Sequence, residues 1–294
     1  MMEQNKIIVD VVCPIYKGFE YLKPLYDSFY KQDNITINKV IFPITNSHDE
    51  EMEKIRKFVA DNNIISFEVE KNEFSHSLTR EKAITNYCES KIIIMISQDV
   101  KIISNDVFYN LVKDIENGHS VYNYARQVCT NKSIEKYIRE KNYPDKSYFV
   151  SKEDVSKMQL MAFFASDACS AYDRNVFLKI GGYNNYDIMM GEDMLYSKIV
   201  LDNGYKKKYC ADAIVEHSHK YTLKQLYKRY YDTGFFYSKV KIFNEYKSTD
   251  SGLKLALYVL KEAIMHFDIP VLLRWLPDMM ARYLGMKKGR NDVK

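Results

Sequence analysis

The chain has 294 residues, of which 46% are hydrophobic and 28% charged. This length and balance exclude a disordered, collagen-like or low-complexity protein, and they predict one large or two smaller globular domains. Five cysteines are scattered without a C-x-x-C pair, which favours a reducing compartment over a secreted disulfide scaffold.

The positive charge is concentrated towards the C-terminus. Residues 220–294 contain 15 Lys and Arg against 7 Asp and Glu, a net charge of +8, whereas residues 1–219 carry −4. A basic tail indicates either an anionic partner, such as phospholipid or nucleic acid, or an ordinary solvated helix face. Since no nucleic-acid-binding motif accompanies it, we expect no nucleic-acid partner.

The N-terminal segment does not have the features of a signal peptide, because its apolar stretch is short and Asp10 interrupts it. No apolar run reaches the roughly 18 residues that a membrane span requires. We therefore expect the chain to begin and end on one side of any membrane, in the cytoplasm.

Strand and helix patterns alternate through the first hundred residues. The predicted elements are strands at 7–15, 39–45, 64–69 and 91–97, with helices between them at 19–31, 49–62 and 77–88. This alternation is typical of βαβ units, and it predicts an α/β fold whose parallel sheet carries helices on both faces.

Polar residues follow three of the predicted strands. They are Tyr16-Lys17, Thr45 to Ser47, and Gln98-Asp99. Because ligands of such folds bind beyond the carboxyl ends of the strands, we expect these three clusters to line one crevice.

The second half of the chain is less regular. Residues 120–160 contain Pro144 and many charges, and we interpret them as a mobile loop and helix over the site. A strand and turn follow at 161–172, a helix at 194–203 and a short strand at 213–217. From there the pattern is helical to the end, with an apolar stripe of 3.6-residue period from Leu253 to Phe267.

Two acidic motifs contain candidate metal-binding or catalytic residues. Asp99 directly follows an apolar strand, where a carboxylate can hold Mg²⁺ or Mn²⁺ against a diphosphate, or simply cap a turn. Asp193 follows Glu192 at the start of a helix, where it can act as a general base or only interact with the helix dipole.

Two groups of basic residues complete the candidates. His217 and His219 share one face of an extended segment and can ligate a metal, or they are ordinary exposed histidines. Arg80, at the start of a helix, can bind phosphate through two hydrogen bonds, or pair with a nearby glutamate on the surface.

The order of these groups along the chain resembles the inverting glycosyltransferases of family 2, which have the GT-A fold, and most closely their bacterial rhamnosyltransferase branch. The matching stretches cover most of residues 7–225 and include VDVVCPIYKG, EFSHSLTREKA, IIIMISQDV, FFASDACSAYDRNVFLKIGGYN and GEDMLYSKIVLDNGYKKKYCADAIVEHSH. The resemblance implies a GT-A nucleotide-diphospho-sugar transferase domain over residues 1–220. Its nucleotide-sugar half spans 1–100, its acceptor half 101–220, and a basic, aromatic-rich helical extension follows over 221–294.

The resemblance implies a nucleotide pocket lined by Pro14, Ile15, Tyr16 and Thr45. Family members usually have an aspartate at the position of Thr45, where it reads the pyrimidine ring, so the base preference of this chain stays open. In addition, Gln98 would contact the nucleotide sugar.

The resemblance also assigns the charged residues. Arg80 would face the diphosphate, and Asp99 with His219 would hold Mg²⁺ or Mn²⁺, His217 being a weaker candidate. The catalytic base would be Asp193. Two further residues would position the sugars, Glu192 beside the acceptor or donor and Asp167 along the acceptor.

The function implied is a metal-dependent inverting transfer of L-rhamnose from dTDP-L-rhamnose to a hydroxyl of a cell-surface polysaccharide or lipid-linked oligosaccharide. The alternatives are the same fold with a UDP-hexose donor, and a non-catalytic, membrane-associated scaffold. Aromatic residues interleaved with Lys and Arg after residue 220 suit the inner leaflet of a membrane. They could instead pack on the catalytic domain or on a second subunit of a homodimer.

Overall fold

The computed structural model describes residues 6–243, 245–246 and 249–292, and it confirms the alternating pattern of the first hundred residues. The strands are β1 Ile7–Val12, β2 Ile35–Thr45, β3 Ile65–Val69, β4 Ile92–Ile96, β5 Lys101–Ile102, β6 Tyr122–Val128, β7 Tyr148–Val150, β8 Cys169–Asp173 and β9 Lys207–Glu216. The α-helices are α1 Phe19–Phe29, α2 Glu50–Asp61, α3 His76–Asn86, α4 Val107–Glu116, α5 Ile134–Asn142, α6 Val155–Met158, α7 Arg174–Lys179, α8 Glu192–Asp202, α9 Leu223–Lys239, α10 Thr249–Met265 and α11 Ile269–Asn291.

Within the described residues the strands form one sheet in the order β3-β2-β1-β4-β8-β6-β9-β5, with β7 paired to β9. The pairs β1–β2, β1–β4, β2–β3 and β6–β9 are parallel. In contrast, β8 runs antiparallel between β4 and β6, and both β5 and β7 run antiparallel to β9. The sheet is therefore mixed, although β1, β2, β3, β4, β6 and β9 share one direction and end at one edge.

Helices cover both faces of this sheet, as the apolar composition of its central strands requires. On one face α1, α2 and α4 contribute side chains such as Leu22, Ile55 and Leu111 to the core. On the other face α3 and α8 contribute Ile84 and Leu195. Since α3 and α8 both begin at the carboxyl edge of the sheet, their first turns face the crevice there.

The interpretation of residues 120–160 as a loop and a helix over the site was correct for the helix, which is α5, but wrong for the loop, part of which is a strand. The segment contains β6, which is a central strand, and α5, whose Ile134 and Ile138 pack on Val259 of α10. The strand was missed because Asn123 and Gln127 are buried polar residues that interrupt its apolar pattern. Similarly, β9 begins at Lys207 rather than at residue 213, and its lysine-rich start hid it.

The C-terminal helical extension is confirmed, and its helix α10 packs on α5. Helices α9 and α11 approach so closely that a side chain at Gly289 would collide with the carbonyl of Tyr231, and one at Gly285 with that of Tyr227. Small residues allow such backbone contact between helices. Among the described helices, none combines the length and apolarity that a transmembrane segment requires.

Candidate active site

The loops that follow β1 and β4 are joined at the carboxyl edge of the sheet. The N–H of Tyr16 donates to Oε1 of Gln98 at 2.7 Å, and Nε2 of Gln98 donates to the carbonyls of Tyr16 and Lys17 at 3.1 and 3.0 Å. The N–H of Thr45 donates to the carbonyl of Ile15 at 2.8 Å. The three polar clusters are therefore neighbours, as predicted.

These contacts refine two of the predicted nucleotide contacts. The side chain of Ile15 belongs to the core, so only its backbone can face a nucleotide. The carboxamide of Gln98 already holds the β1 loop, and its contact with the sugar stays a prediction. Pro14 and Tyr16 remain accessible at the surface, whereas Thr45 is 6% exposed.

Asp99 lies beside the two histidines that follow β9. Its Oδ1 is 3.5 Å from Nε2 of His217, its Oδ2 is 3.8 Å from Nε2 of His219, and the two Nε2 atoms are 2.8 Å apart. The three side chains can direct one ligand atom each to a common point. They converge because β4 and β9 run in the same direction and end at the same edge.

Gln127, near the end of β6, orients His217. Its side-chain oxygen lies 2.9 Å from Nδ1 of His217 and also accepts a hydrogen bond from Arg139. Arginine can only donate, so this atom is the oxygen of the amide, and Nδ1 of His217 carries the proton. Its Nε2 therefore directs a lone pair at Asp99, which is the arrangement found in metal-ligating histidines.

The charges of this triad fit a divalent cation. Burial and the neighbouring His217 lower the pKa of His219 to about 4, so its imidazole is neutral near pH 7. Although burial opposes ionisation, the two histidines hold the pKa of Asp99 below its usual value. One carboxylate and two imidazole nitrogens suit Mn²⁺ better than Mg²⁺, which prefers oxygen ligands.

A buried ion pair joins α3 to the start of α8. Nη1 of Arg80 binds Oε1 of Glu192 and lies 2.9 Å from Nδ1 of His76. Burial would raise the pKa of Glu192, but the charge of Arg80 holds it below its usual value. Arg80 is thus not a surface residue, and its predicted contact with a diphosphate stays a prediction.

Asp193 is the second residue of α8, and its Oδ1 accepts the N–H of Met194 at 2.7 Å. Burial, followed by the negative charges of Glu192 and Asp167, raises its pKa well above the usual value for aspartate. A carboxylate with raised basicity has the property that a general base requires near neutral pH.

Asp167 has a different environment from the one expected. The residue is 2% exposed, and its two carboxylate oxygens accept hydrogen bonds from hydroxyls. The donors are Tyr122 at 2.9 Å, Ser170 at 2.7 Å, Tyr172 at 2.6 Å and Tyr183 at 3.4 Å. Through these hydrogen bonds Asp167 stabilises the interior of the site. Its direct contact with an acceptor stays a prediction.

A cavity of about 530 Å³ connects these groups. It is lined by Asp99, His217, His219, Arg80, Glu192 and Asp193, and by side chains from α5, α9 and α11. Asp99 and His219 also border a second cavity of about 590 Å³, between α1 and residues 100–105. The triad therefore lies where two open spaces meet.

Two cations of the cavity wall were missed from the sequence. Arg229 of α9 lies 5.7 Å from the ring of Tyr221, whose ring lies 5.1 Å from that of His219. Arg139 of α5 lines the same cavity. In the described part of the chain, neither forms an ion pair with a carboxylate. The folding of α5 and α9 over the site brings the two arginines there, so no local motif could identify them.

Comparison with known proteins identifies the family. No family model matches the chain. The O-antigen chain rhamnosyltransferase RfbN of Salmonella typhimurium is 30% identical over 232 residues, which cover 78% of this chain and 72% of the relative. The chain belongs to the O-antigen chain rhamnosyltransferase family. WbaN of Salmonella anatum, another O-antigen chain rhamnosyltransferase, is 28% identical over 294 residues, 96% of this chain and 89% of its own.

Solved structures confirm the predicted GT-A fold. The mannosyltransferase PcManGT from Pyrobaculum calidifontis, in complex with GDP-Man and Mn²⁺, has a TM-score of 0.64 at 14% identity, covering 97% of this chain and 88% of its own. S. aureus TarS 1-349, in complex with UDP-GlcNAc, has a TM-score of 0.57 at 14% identity, covering 97% and 90%. The sequence relatives, and not this likeness of fold, identify the protein as a glycosyltransferase of the rhamnosyltransferase family, and the scaffold alternative is set aside.

Proposed function

We propose that the protein is a metal-dependent, inverting rhamnosyltransferase that uses dTDP-L-rhamnose. One observation carries the proposal: a single cavity brings the Asp99, His217 and His219 triad together with Asp193. The first group suits the cation of a nucleotide diphosphate, and the second suits proton removal from an acceptor hydroxyl.

The triad would hold Mn²⁺ or Mg²⁺ against the diphosphate of the donor. When bound, such a cation supplies positive charge that stabilises the departing nucleotide diphosphate. Arg229 and Arg139, which line the same cavity without a carboxylate partner among the described residues, add positive charge to its wall. Arg80 acts more indirectly, because it holds Glu192 and thereby the first turn of α8.

Asp193 would take the proton of the acceptor hydroxyl as that oxygen attacks the anomeric carbon. A single displacement from the face opposite the leaving group inverts the anomeric configuration, and it needs no nucleophile from the protein. In keeping with this, Cys169 of β8 is buried in the core, and burial raises the pKa of its thiol.

Family membership supports rhamnose as the sugar, and the loops around Pro14, Tyr16 and Thr45 would hold the pyrimidine base. Thr45 offers a hydroxyl where an aspartate is usual, so the relative affinities for dTDP and UDP must be measured. The acceptor would be a hydroxyl of a growing cell-surface polysaccharide or lipid-linked oligosaccharide at the cytoplasmic face of the membrane. A homodimer stays a prediction.

A transfer assay tests this proposal. Purified protein, Mn²⁺, dTDP-L-rhamnose and an O-antigen-type acceptor should give a rhamnoside whose anomeric configuration, read by NMR, is opposite to that of the donor. Asp193→Asn should abolish transfer while nucleotide binding survives. Retained configuration would refute inversion, turnover by the variant would remove Asp193 as base, and transfer from UDP-hexoses alone would refute the donor.

A further inference from the structure

Helix α11 has apolar residues on its exposed face, where a water-exposed helix usually has polar ones. Its buried face contains Asp278 and Arg282, which pair with each other. Its exposed face is an apolar stripe with a helical period, formed by Ile269, Leu273, Leu276, Met280 and Tyr283. At about 100° per residue, these two sets lie on opposite sides of the helix. In water the usual arrangement is the opposite one.

Helix α10 continues the apolar surface. Leu253, Leu257 and Ile264 lie at helical spacing, and Leu253 is 66% exposed. The other side of α10 packs on α5 and α11 through Val259 and Ala263. The two helices thus form a hairpin that buries one side against the protein and presents leucines on the other.

The turn between the helices ends in Phe267. This residue is 84% exposed, the largest exposed fraction of any large hydrophobic residue described. Its backbone has φ of +51°, a left-handed conformation that a bulky residue rarely adopts. An aromatic ring held in water by a strained turn has no stabilising role within the folded chain, which points to a partner outside it.

The charges around this surface favour an anionic partner. Lys254 and Lys261 border the stripe of α10, and neither pairs with a carboxylate within the described residues. Residues 220–294 as a whole carry a net charge of +8. In a symmetric dimer through this face, like charges of two copies would face each other, which disfavours a second copy as the occupant.

We propose that the outer face of the α10–α11 hairpin docks the protein on an anionic lipid bilayer. The docking face consists of Leu253, Leu257, Ile264, Phe267, Ile269, Leu273, Leu276, Met280 and Tyr283. Apolar side chains enter the acyl boundary while the flanking lysines contact anionic headgroups. This inference rests on the proposed function, in which the acceptor is held at a membrane. The buried side of α11 lines the catalytic cavity through Arg282, so docking holds the site close to the bilayer.

Vesicle flotation with the full chain tests the docking face. Wild-type protein should float with phosphatidylcholine vesicles that contain phosphatidylglycerol, less with phosphatidylcholine alone, and less at high salt. The triple variant Leu273→Gln, Leu276→Gln, Met280→Gln should bind at least about tenfold more weakly. Its matched control, Ile8→Gln with Leu178→Gln, removes exposed apolar residues elsewhere and should bind like the wild type.

Phe267→Gly separates docking from folding. Glycine relieves the left-handed turn, so the unfolding midpoint should stay equal or rise, while vesicle binding should fall by about fivefold or more. Vesicle binding that is absent in the wild type, or unchanged in these variants, would overturn the proposal. Light scattering that shows a dimer lost in the triple variant would assign the face to a second copy instead. Transfer to a short soluble acceptor should be unchanged in each variant, so failure here is distinct from failure of the proposed reaction.

Discussion

The Nε2 atoms of His217 and His219 lie 2.8 Å apart and both face the carboxylate of Asp99. Gln127 keeps the proton of His217 on Nδ1, so a lone pair of its imidazole is directed into this gap. Lone pairs and a carboxylate converge favourably only on a proton or a cation. The triad therefore suits a metal ion. Gln127 would not contact that ion, but it should affect how tightly the ion binds because it orients His217.

Gln127→Leu should weaken Mn²⁺ binding by about 10- to 100-fold, because His217 loses the partner that sets its tautomer and ring orientation. Gln127→Glu keeps an acceptor oxygen and should retain most of the affinity. Mn²⁺ titration followed by electron paramagnetic resonance measures both variants. Equal affinity in Gln127→Leu and the wild type would contradict the assigned orientation of His217.

The pH dependence of kcat/KM should reflect the ionisation of the Asp193 carboxyl group. The base must be deprotonated, so activity should rise with pH as Asp193 loses its proton, and this limb should lie above the usual range of aspartate because its pKa is raised. Asp167→Asn removes a nearby negative charge and should move the limb to lower pH. A limb that stays in place or moves upward in the variant would contradict this assignment.

The ion pair of Arg80 and Glu192 should be a strong determinant of stability. Glu192→Gln leaves a buried guanidinium without its carboxylate, and the free energy of unfolding should fall by roughly 3–5 kcal/mol. Asp61→Asn, which breaks the exposed pair with Lys57, is the matched control and should cost less than about 1 kcal/mol. Urea denaturation measures both variants, and similar losses in the two would show that burial of the pair has no energetic consequence.

The contact between α9 and α11 should depend on glycine. Gly289→Ala places a methyl group against the carbonyl of Tyr231 and should lower the free energy of unfolding by about 1–3 kcal/mol. Gly252 of α10 faces open space, so Gly252→Ala should stabilise by about 0.5–1 kcal/mol through helix propensity. Thermal unfolding distinguishes them, and a harmless Gly289→Ala would mean that the helices are not in close contact.

Local sequence patterns were sufficient to predict those strands that consist of a continuous apolar run. The strands β1 and β4 are apolar at nearly every position, and they form as predicted. Asp99 and His219 were placed together only because the family resemblance supplied their roles. Nothing local could show that Arg80 pairs with Glu192, 112 residues further along the chain. Buried polar side chains such as Gln127 resemble surface residues in a sequence, and this hid both β6 and the orientation of His217.

Calorimetric binding of dTDP, UDP, GDP and dTDP-L-rhamnose, each with and without Mn²⁺ or Mg²⁺, tests the central claim most directly. The account predicts that dTDP-L-rhamnose binds most tightly, that the cation strengthens its binding, and that Asp99→Ala removes this gain. Preference for UDP would contradict the proposed donor. Absence of nucleotide binding under every condition, or binding that is indifferent to the metal and to Asp99→Ala, would contradict the assigned site.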